Sequence, residues 1–233
     1  MKNIGRRTFL RGVGFSGLGL AATACGAQGS TTQPTPVAEA PAASPDEALQ
    51  RLVEGNQRFV SGQVRHPNLT SARLTEVSQG QKPFACVLGC ADSRVSPELI
   101  FDRGLGDIFV VRSAGNIADP VAIGSLEYGV AVLGTKVLLV LGHERCGAVA
   151  ETLKGEEAPG SIQALIDAIK PGIAASQGQS GDALDNAVVA NVKYQMAQLF
   201  EQSTILSDAV KAGTLKIVGG RYDLDKGELT LLG

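Results

Sequence analysis

Phe84-Ala85-Cys86-Val87-Leu88 runs through Gly89 into Cys90-Ala91-Asp92-Ser93-Arg94, and Val137-Leu138-Leu139-Val140-Leu141 runs through Gly142 into His143-Glu144-Arg145-Cys146. A short continuous apolar run bounded by polar residues reads as a strand buried on both faces, which is the habit of parallel sheets. In such open α/β sheets the ligand crevice lies beyond the carboxyl ends of the strands. Both runs end there in residues with soft donor atoms, so Cys90, His143 and Cys146 together suggest one metal ion. A Cys2His set is among those by which zinc keeps its fourth position for water.

Outward from these runs, the chain alternates strand and helix patterns from Gln81 onward. That alternation predicts a mostly parallel central sheet flanked by helices. Strands are expected at Phe84–Leu88, Ile108–Arg112, Val137–Leu141 and Leu215–Val218. A last strand at Glu228–Leu232, after the turn signal Asp225-Lys226-Gly227, is expected to pair antiparallel at the edge. Helices are expected at Pro97–Phe101, Pro120–Leu133 with proline in its first turn, Ala148–Lys154, Ser161–Lys170, Asp182–Phe200 and Ser203–Lys211. Pro171–Gly181 reads as a mobile loop. Ahead of the sheet, a helical arm begins at Ser44 or Asp46. Asp46 is suited to cap it, and Leu49, Leu52, Val53, Phe59 and Val60 share one face with Asn56 between them. That face can pack on its own domain or on a second subunit.

Composition bounds the function. A chain of 233 residues with 44% hydrophobic content supports one substantial domain with appendages. The net charge is −2, and without Lys2, Arg6, Arg7 and Arg11 the remaining 17 basic residues face 23 acidic ones, a net of −6. A mildly acidic body argues against nucleic-acid binding. Residues 1–25 read as an export signal: Arg6-Arg7 stands before Phe9-Leu10, and Val13–Ala24 is apolar, glycine-rich and too short to span a bilayer comfortably. The arginine pair resembles a bacterial twin-arginine signal, so a periplasmic location is expected. Cys25 follows a small-residue site. It is read either as an ordinary residue or as the lipidated start of a lipoprotein and hence a membrane tether. Residues 26–45, with Pro34, Pro36, Pro41 and Pro45 among Ala, Thr, Ser and Gly, read as a disordered tether. The folded domain is then 46–233.

His143 and Cys146 are spaced to clasp one ion from a single turn, with Cys146 at the opening of a helix that lowers a thiol pKa. Cys86 is different. It sits four residues before Cys90 on the same strand, roughly 13 Å away at about 3.3 Å per residue, so it is read as a small buried hydrophobe. His66, in a polar loop before Pro67, is read as structural. Two other readings of the cluster stay open: a Cys90–Cys146 disulfide, and a closed structural zinc with Asp92 as fourth ligand. Arg94 tilts the balance, because two residues beyond Asp92 it can pair with that carboxylate and keep it off the metal.

Cys-x-Asp-x-Arg followed by His-x-x-Cys resembles the beta-class carbonic anhydrases. The likeness extends through Gly89–Val95, Phe109-Val110-Val111-Arg112-Ser113-Ala114-Gly115-Asn116, Ser125-Leu126-Glu127-Tyr128 and Gly142–Gly147, and covers the chain from about Ala48 to Leu232. The resemblance implies reversible hydration of carbon dioxide to bicarbonate and a proton by a zinc-bound hydroxide, with Zn2+ on Cys90, His143 and Cys146. Asp92, oriented by Arg94, would aim that hydroxide, and in a closed state Asp92 would itself join the zinc. It further implies that Gln81 and Gly147 contact substrate, Gln81 across the interface of a homodimer or larger homo-oligomer. Some relatives bind bicarbonate at a second pocket built with a Trp. The matching positions here are Val87, Arg112 and Tyr222, so that pocket is not expected. Two alternatives share the site: a zinc hydrolase of a small cumulated molecule such as carbon disulfide, and a catalytically silent protein that binds zinc and bicarbonate.

Overall fold

The computed structural model describes residues 41–232. The export signal at 1–25 and most of the tether at 26–45 therefore lie outside the described residues. Five strands form one sheet in the order β2-β1-β3-β4-β5. They are β1 (Ala85–Cys90), β2 (Ile108–Ser113), β3 (Val137–His143), β4 (Lys216–Tyr222) and β5 (Leu229–Leu232). The first four pair in parallel, and β5 runs antiparallel to β4 at the edge. The expected α/β fold class holds, with β3 and β4 each extending further towards the crevice than the apolar runs alone suggested.

Alternation along the two central strands sorts the core into two faces. Cys86 and Leu88 of β1, with Leu138 and Val140 of β3, pack under Leu126, Val192, Leu199 and Leu206. Those residues lie on α4 (Pro120–Ala131), α7 (Ala183–Gln202) and α8 (Thr204–Lys211). Ala85 and Val87, with Val137, Leu139 and Leu141, face the other way, onto Leu52 of α1 (Pro45–Val60) and Phe101 just past α3 (Pro97–Ile100). Each fully buried leucine contributes about 1.5–3 kcal/mol by leaving water, so the central strands are the most strongly held part of the fold. The remaining helices are α2 (Ser71–Val77), α5 (Gly147–Lys154) and α6 (Ile162–Ile173, running into a 3-10 turn at Ala174–Ser176).

Three expectations need correction. Ser44, not Asp46, caps α1: its Oγ accepts from Glu47 N at 3.2 Å, while Glu47 Oε2 accepts from Ala43 N at 2.8 Å and Pro45 occupies the first turn. This reciprocal arrangement satisfies amide groups that the helix start would otherwise leave unpaired. Pro171–Gly181 is not a loop throughout, because α6 continues through Pro171 to Ile173. A proline near the last turn removes only one helical bond, and the close contact of Gly172 with the Tyr194 ring, together with buried Ile169 and Ile173, secures the segment. The helix α2, capped by Thr70, was not anticipated: it has no buried residue and hence no apolar stripe to reveal it.

The face of α1 packs on its own domain through Ala48, Leu52, Gly55 and Asn56. Asn56 Nδ2 donates to the Ile100 and Gly227 carbonyls at 3.1 and 2.8 Å, and its Oδ1 accepts from Leu229 N at 2.8 Å. A polar residue inside an apolar stripe thus ties the arm to two distant turns. No helix among the described residues is long and apolar enough to cross a membrane.

Candidate metal centre

Strand β1 delivers Cys90 to its carboxyl end, and the neighbouring β3 delivers His143 to the same end. The chain then turns through Arg145, at φ +50°, so that Cys146 becomes the residue capping α5. The three donor atoms lie within 4.8 Å of one another, and all three residues are buried. The sulfurs of Cys90 and Cys146 are 4.0 Å apart and both thiols are free, about twice the length of a disulfide bond of ~2.05 Å. The disulfide alternative is therefore not the arrangement found.

His143 has its tautomer set by its neighbour. Its Nδ1 lies 2.8 Å from the Glu144 carbonyl, a bond only an N–H can make, which leaves Nε2 as a bare acceptor. That Nε2 is buried and has no hydrogen-bond partner. A buried lone pair without a partner carries a penalty of roughly 1–3 kcal/mol, and beside two thiols it is the natural third ligand of a soft cation. Cys90 is held as the thiolate: its pKa is drawn down to about 4, first by the hydrogen bond from Cys146, against burial, with further donation from Gly115 N. Cys146 is pushed up because it donates to that sulfur and is buried. A metal would take the place of the shared proton.

Asp92 and Arg94 flank the cluster as a bidentate pair. Arg94 Nε and Nη2 donate to the two carboxylate oxygens at 2.9 and 2.7 Å, and Arg94 N adds a third bond at 2.9 Å. The guanidinium beside it, outweighing the effect of burial, holds the Asp92 carboxyl far below the usual carboxylate range. Asp92 Oδ2 lies 3.8 Å from His143 Nε2, at the rim of the donor set and outside it.

Gln81 and Gly147 part company. Gly147 opens α5 directly after Cys146, and a Cβ there would meet nothing within 4 Å. Gln81 precedes β1 and lines a recess with Lys82, Pro83 and Lys136 at the far end of the sheet, with about 16 Å of strand between Ala85 and Cys90. Within one chain, Gln81 does not reach the cluster. Cys86 faces α4 and bonds Thr135 Oγ1, in the turn beyond that helix, at 3.3 Å, and burial raises its thiol to about 11. His66 contributes its backbone N–H to Asp102 Oδ1 at 2.9 Å and belongs to no metal-ligand group among the described residues.

Two contributors escaped sequence reasoning. Arg112 was weighed only as part of a second anion pocket, yet its guanidinium donates to the carbonyls of Cys90, Asp92 and Val95 at 2.9, 2.7 and 2.9 Å. It fastens the loop that carries the Asp92–Arg94 pair. The Gly115 N–H donates to Cys90 Sγ at 3.3 Å from a turn with φ +80° at Gly115 and +48° at Asn116. Glycine is required there, since a Cβ would lie 2.5 Å from Ile169 Cδ1. Asn116 tolerates the left-handed region better than most residues but still stores about 1 kcal/mol. A second acidic group, Glu144, Asp223 and Asp225, is engaged internally: Arg221 and the Leu224 amide hold Glu144, and Arg145 holds Asp225.

The family model described as carbonic anhydrase matches residues 85–229. A carbonic anhydrase of Mycolicibacterium smegmatis is 40% identical over 195 residues, covering 82% of this chain and 95% of that protein. Among solved structures, the Coccomyxa beta-carbonic anhydrase in complex with acetazolamide is 31% identical with a TM-score of 0.62, covering 79% of this chain and 86% of its own. A tetrameric beta-carbonic anhydrase of Sordaria macrospora, 24% identical with a TM-score of 0.63, covers 69% of this chain and 85% of its own and supports the fold.

Proposed function

This chain belongs to the beta-class carbonic anhydrase family, and from that premise we propose that it hydrates carbon dioxide reversibly at a zinc ion held by Cys90, His143 and Cys146. The observation that carries the reading is the buried, unpartnered His143 Nε2 facing two free sulfurs, a donor set that suits zinc. When bound, zinc supplies the acidity that brings a water pKa from about 15.7 to roughly 7.

The chain's own residues supply orientation and dryness. Asp92 Oδ1 already receives two bonds from Arg94 and Oδ2 only one, so Oδ2 keeps a lone pair to accept a hydrogen bond from the attacking oxygen's O–H. That bond would direct the oxygen lone pair at carbon dioxide, and the fixed carboxylate avoids reorganisation at the moment of attack. Arg94 keeps Asp92 charged and away from the ligand set. Ile117, Val149, Ile169 and Val188 pack with the two cysteines, giving an apolar wall suited to an uncharged, apolar substrate. Gly147, with open space where a Cβ would stand, leaves room beside Cys146 for substrate oxygen. Gln81 is assigned to the site of a second copy, in a homodimer or larger assembly, because its own cluster lies at the other end of β1.

Stopped-flow carbon dioxide hydration on zinc-quantified protein tests the reading, with carbon disulfide turnover run beside it. Asp92→Asn should retain one zinc per chain while losing most of the hydration rate. Zinc-loaded wild-type protein that leaves carbon dioxide unhydrated would refute the assignment. Export through the residue 1–25 signal, with or without acylation of Cys25, is part of the same proposal and is read by intact mass of the mature protein.

A further inference from the structure

Behind the thiolates lies a buried amide network that the steps above do not use. Asn191 and Gln195 sit four residues apart on α7, on a stripe otherwise made of Ala187, Val188, Val192 and Leu199, and are only 1% and 2% exposed. Asn191 Nδ2 donates to the Gly115 carbonyl at 2.9 Å, and Gln195 Oε1 accepts from Ala118 N at 2.9 Å. Gln195 Nε2 braces the pair by donating to Asn191 Oδ1 at 3.1 Å. The two amides thus grip both ends of the turn whose Gly115 N–H points at Cys90 Sγ. With φ positive at both Gly115 and Asn116, that turn is not one the local chain favours alone, and α7 holds it from outside.

We propose that Asn191 and Gln195 are positioning residues of the metal centre, which keep the Gly115 N–H on the Cys90 sulfur. This inference rests on the zinc reading above. A hydrogen bond to a thiolate is charge-assisted, and it draws electron density from the sulfur. A sulfur that donates less leaves the bound metal more electrophilic, which is how partners of the ligands tune a metal site. The surrounding apolar cluster strengthens the effect, because little else screens that bond. A purely structural role would also explain two satisfied buried amides, so the test must read the sulfur itself.

Asn191→Leu removes the donor to Gly115 while keeping a side chain of similar size. In cobalt-substituted protein, the sulfur-to-cobalt charge-transfer band is expected at longer wavelength than in wild type, with zinc affinity lower by about 10-fold. Wild-type protein loaded with cadmium-113 should show scalar coupling between the metal and the Gly115 amide proton through sulfur, and the variant should lose it. Should Asn191→Leu fail to fold, Gln195→Met leaves the Gly115 bond unbraced and should shift the band in the same direction by less. An unchanged band in whichever variant folds and takes up metal, or no coupling in cadmium-loaded wild type, overturns the inference whatever happens to Tm. Wild-type protein that takes up no metal overturns the zinc reading and this inference with it; metal-binding, active wild type with unaltered variants overturns this inference alone.

Discussion

Replacing Arg112 tests whether the active arrangement depends on the loop and not only on the ligands. The guanidinium makes three bonds to backbone carbonyls, to Cys90, Asp92 and Val95, and spans the loop that presents the Asp92–Arg94 pair. Bonds from a charged donor contribute about 1.5–3 kcal/mol each when buried. Arg112 is an exposed residue, so water competes, and about 0.5–1 kcal/mol per bond is the appropriate scale. Three such bonds give the loop about 1.5–3 kcal/mol of ordering, and at about 1.4 kcal/mol per tenfold Arg112→Met should lower the hydration rate roughly 10- to 100-fold. Zinc should stay. Cys90 is independently fixed by the β1 ladder, where it pairs with Ser113, and by Gly115 N–H on its sulfur. Arg112→Lys, whose ammonium is a point charge and cannot fork to three carbonyls, should fall between wild type and Met. Stopped-flow hydration with zinc quantified in each sample separates loop order from ligand loss. A Met variant at wild-type rate refutes the clamp, and a rate that falls only in proportion to lost zinc refutes its action through Asp92.

Gly55→Ala places a Cβ 1.9 Å from the Phe101 carbonyl oxygen, which is backbone and cannot rotate away. Overpacking of about 1–3 kcal/mol should exceed the ~1 kcal/mol gained in helix propensity, so the urea midpoint should fall; a rise would contradict the packing of α1. Asp102 is buried, which alone would raise its pKa, but Arg58 and the Arg65 and His66 amides outweigh burial and lower it. A lowered folded-state pKa gives stability that is complete above the unfolded value of about 3.9 and is lost as pH falls through the folded one. The stability gap between wild type and Asp102→Asn, measured by urea unfolding, should therefore be flat from neutral pH down to about pH 5 and shrink in more acid solution; a pH-independent gap would count against the ion pair. Chelator-stripped protein, with two free sulfurs 4.0 Å apart, should form the Cys90–Cys146 disulfide under a mild oxidant, and zinc-loaded protein should resist it. Intact mass after alkylation reads the difference, and equal oxidation of both forms would argue against metal on those sulfurs.

The strands and the three clustered donor residues were legible because each is a local signal. An unbroken apolar run marks a central strand, and a Cys or His at its carboxyl end inherits its position from the sheet. What stayed hidden was set by contacts between distant segments. Thr70 and its short helix α2 bury nothing, so no periodic stripe announces them. Pro171 reads as a breaker, and only the packing of Gly172 against Tyr194 shows why the helix passes through it. Ser44 and Asp46 are equally good caps on paper; the choice goes to Ser44 because Pro45 fits the first helical position and Glu47 reaches back over the start.

The same division runs through the site, and it has a chemical consequence. Cys90, Asp92, Arg94, His143 and Cys146 identify the reaction because their spacing is a pattern of side chains. The groups that hold them in working order act largely through the main chain: Gly115 N–H on sulfur, the Glu144 carbonyl on His143 Nδ1, and three carbonyls under Arg112. Main-chain groups are present at every residue, so composition and spacing cannot single them out. What sequence does show is the side chain that secures each one. Arg112 follows the apolar run from Ile108 to Val111 near the end of β2, and Asn191 interrupts the buried stripe of α7. A buried amide requires a partner, and a guanidinium at a strand end can reach several; in both cases the partner is the backbone beside the clustered donor residues. Polar interruptions of apolar patterns are therefore where a sequence reading of this site gains most, because each marks a backbone group whose direction the proposed chemistry depends on.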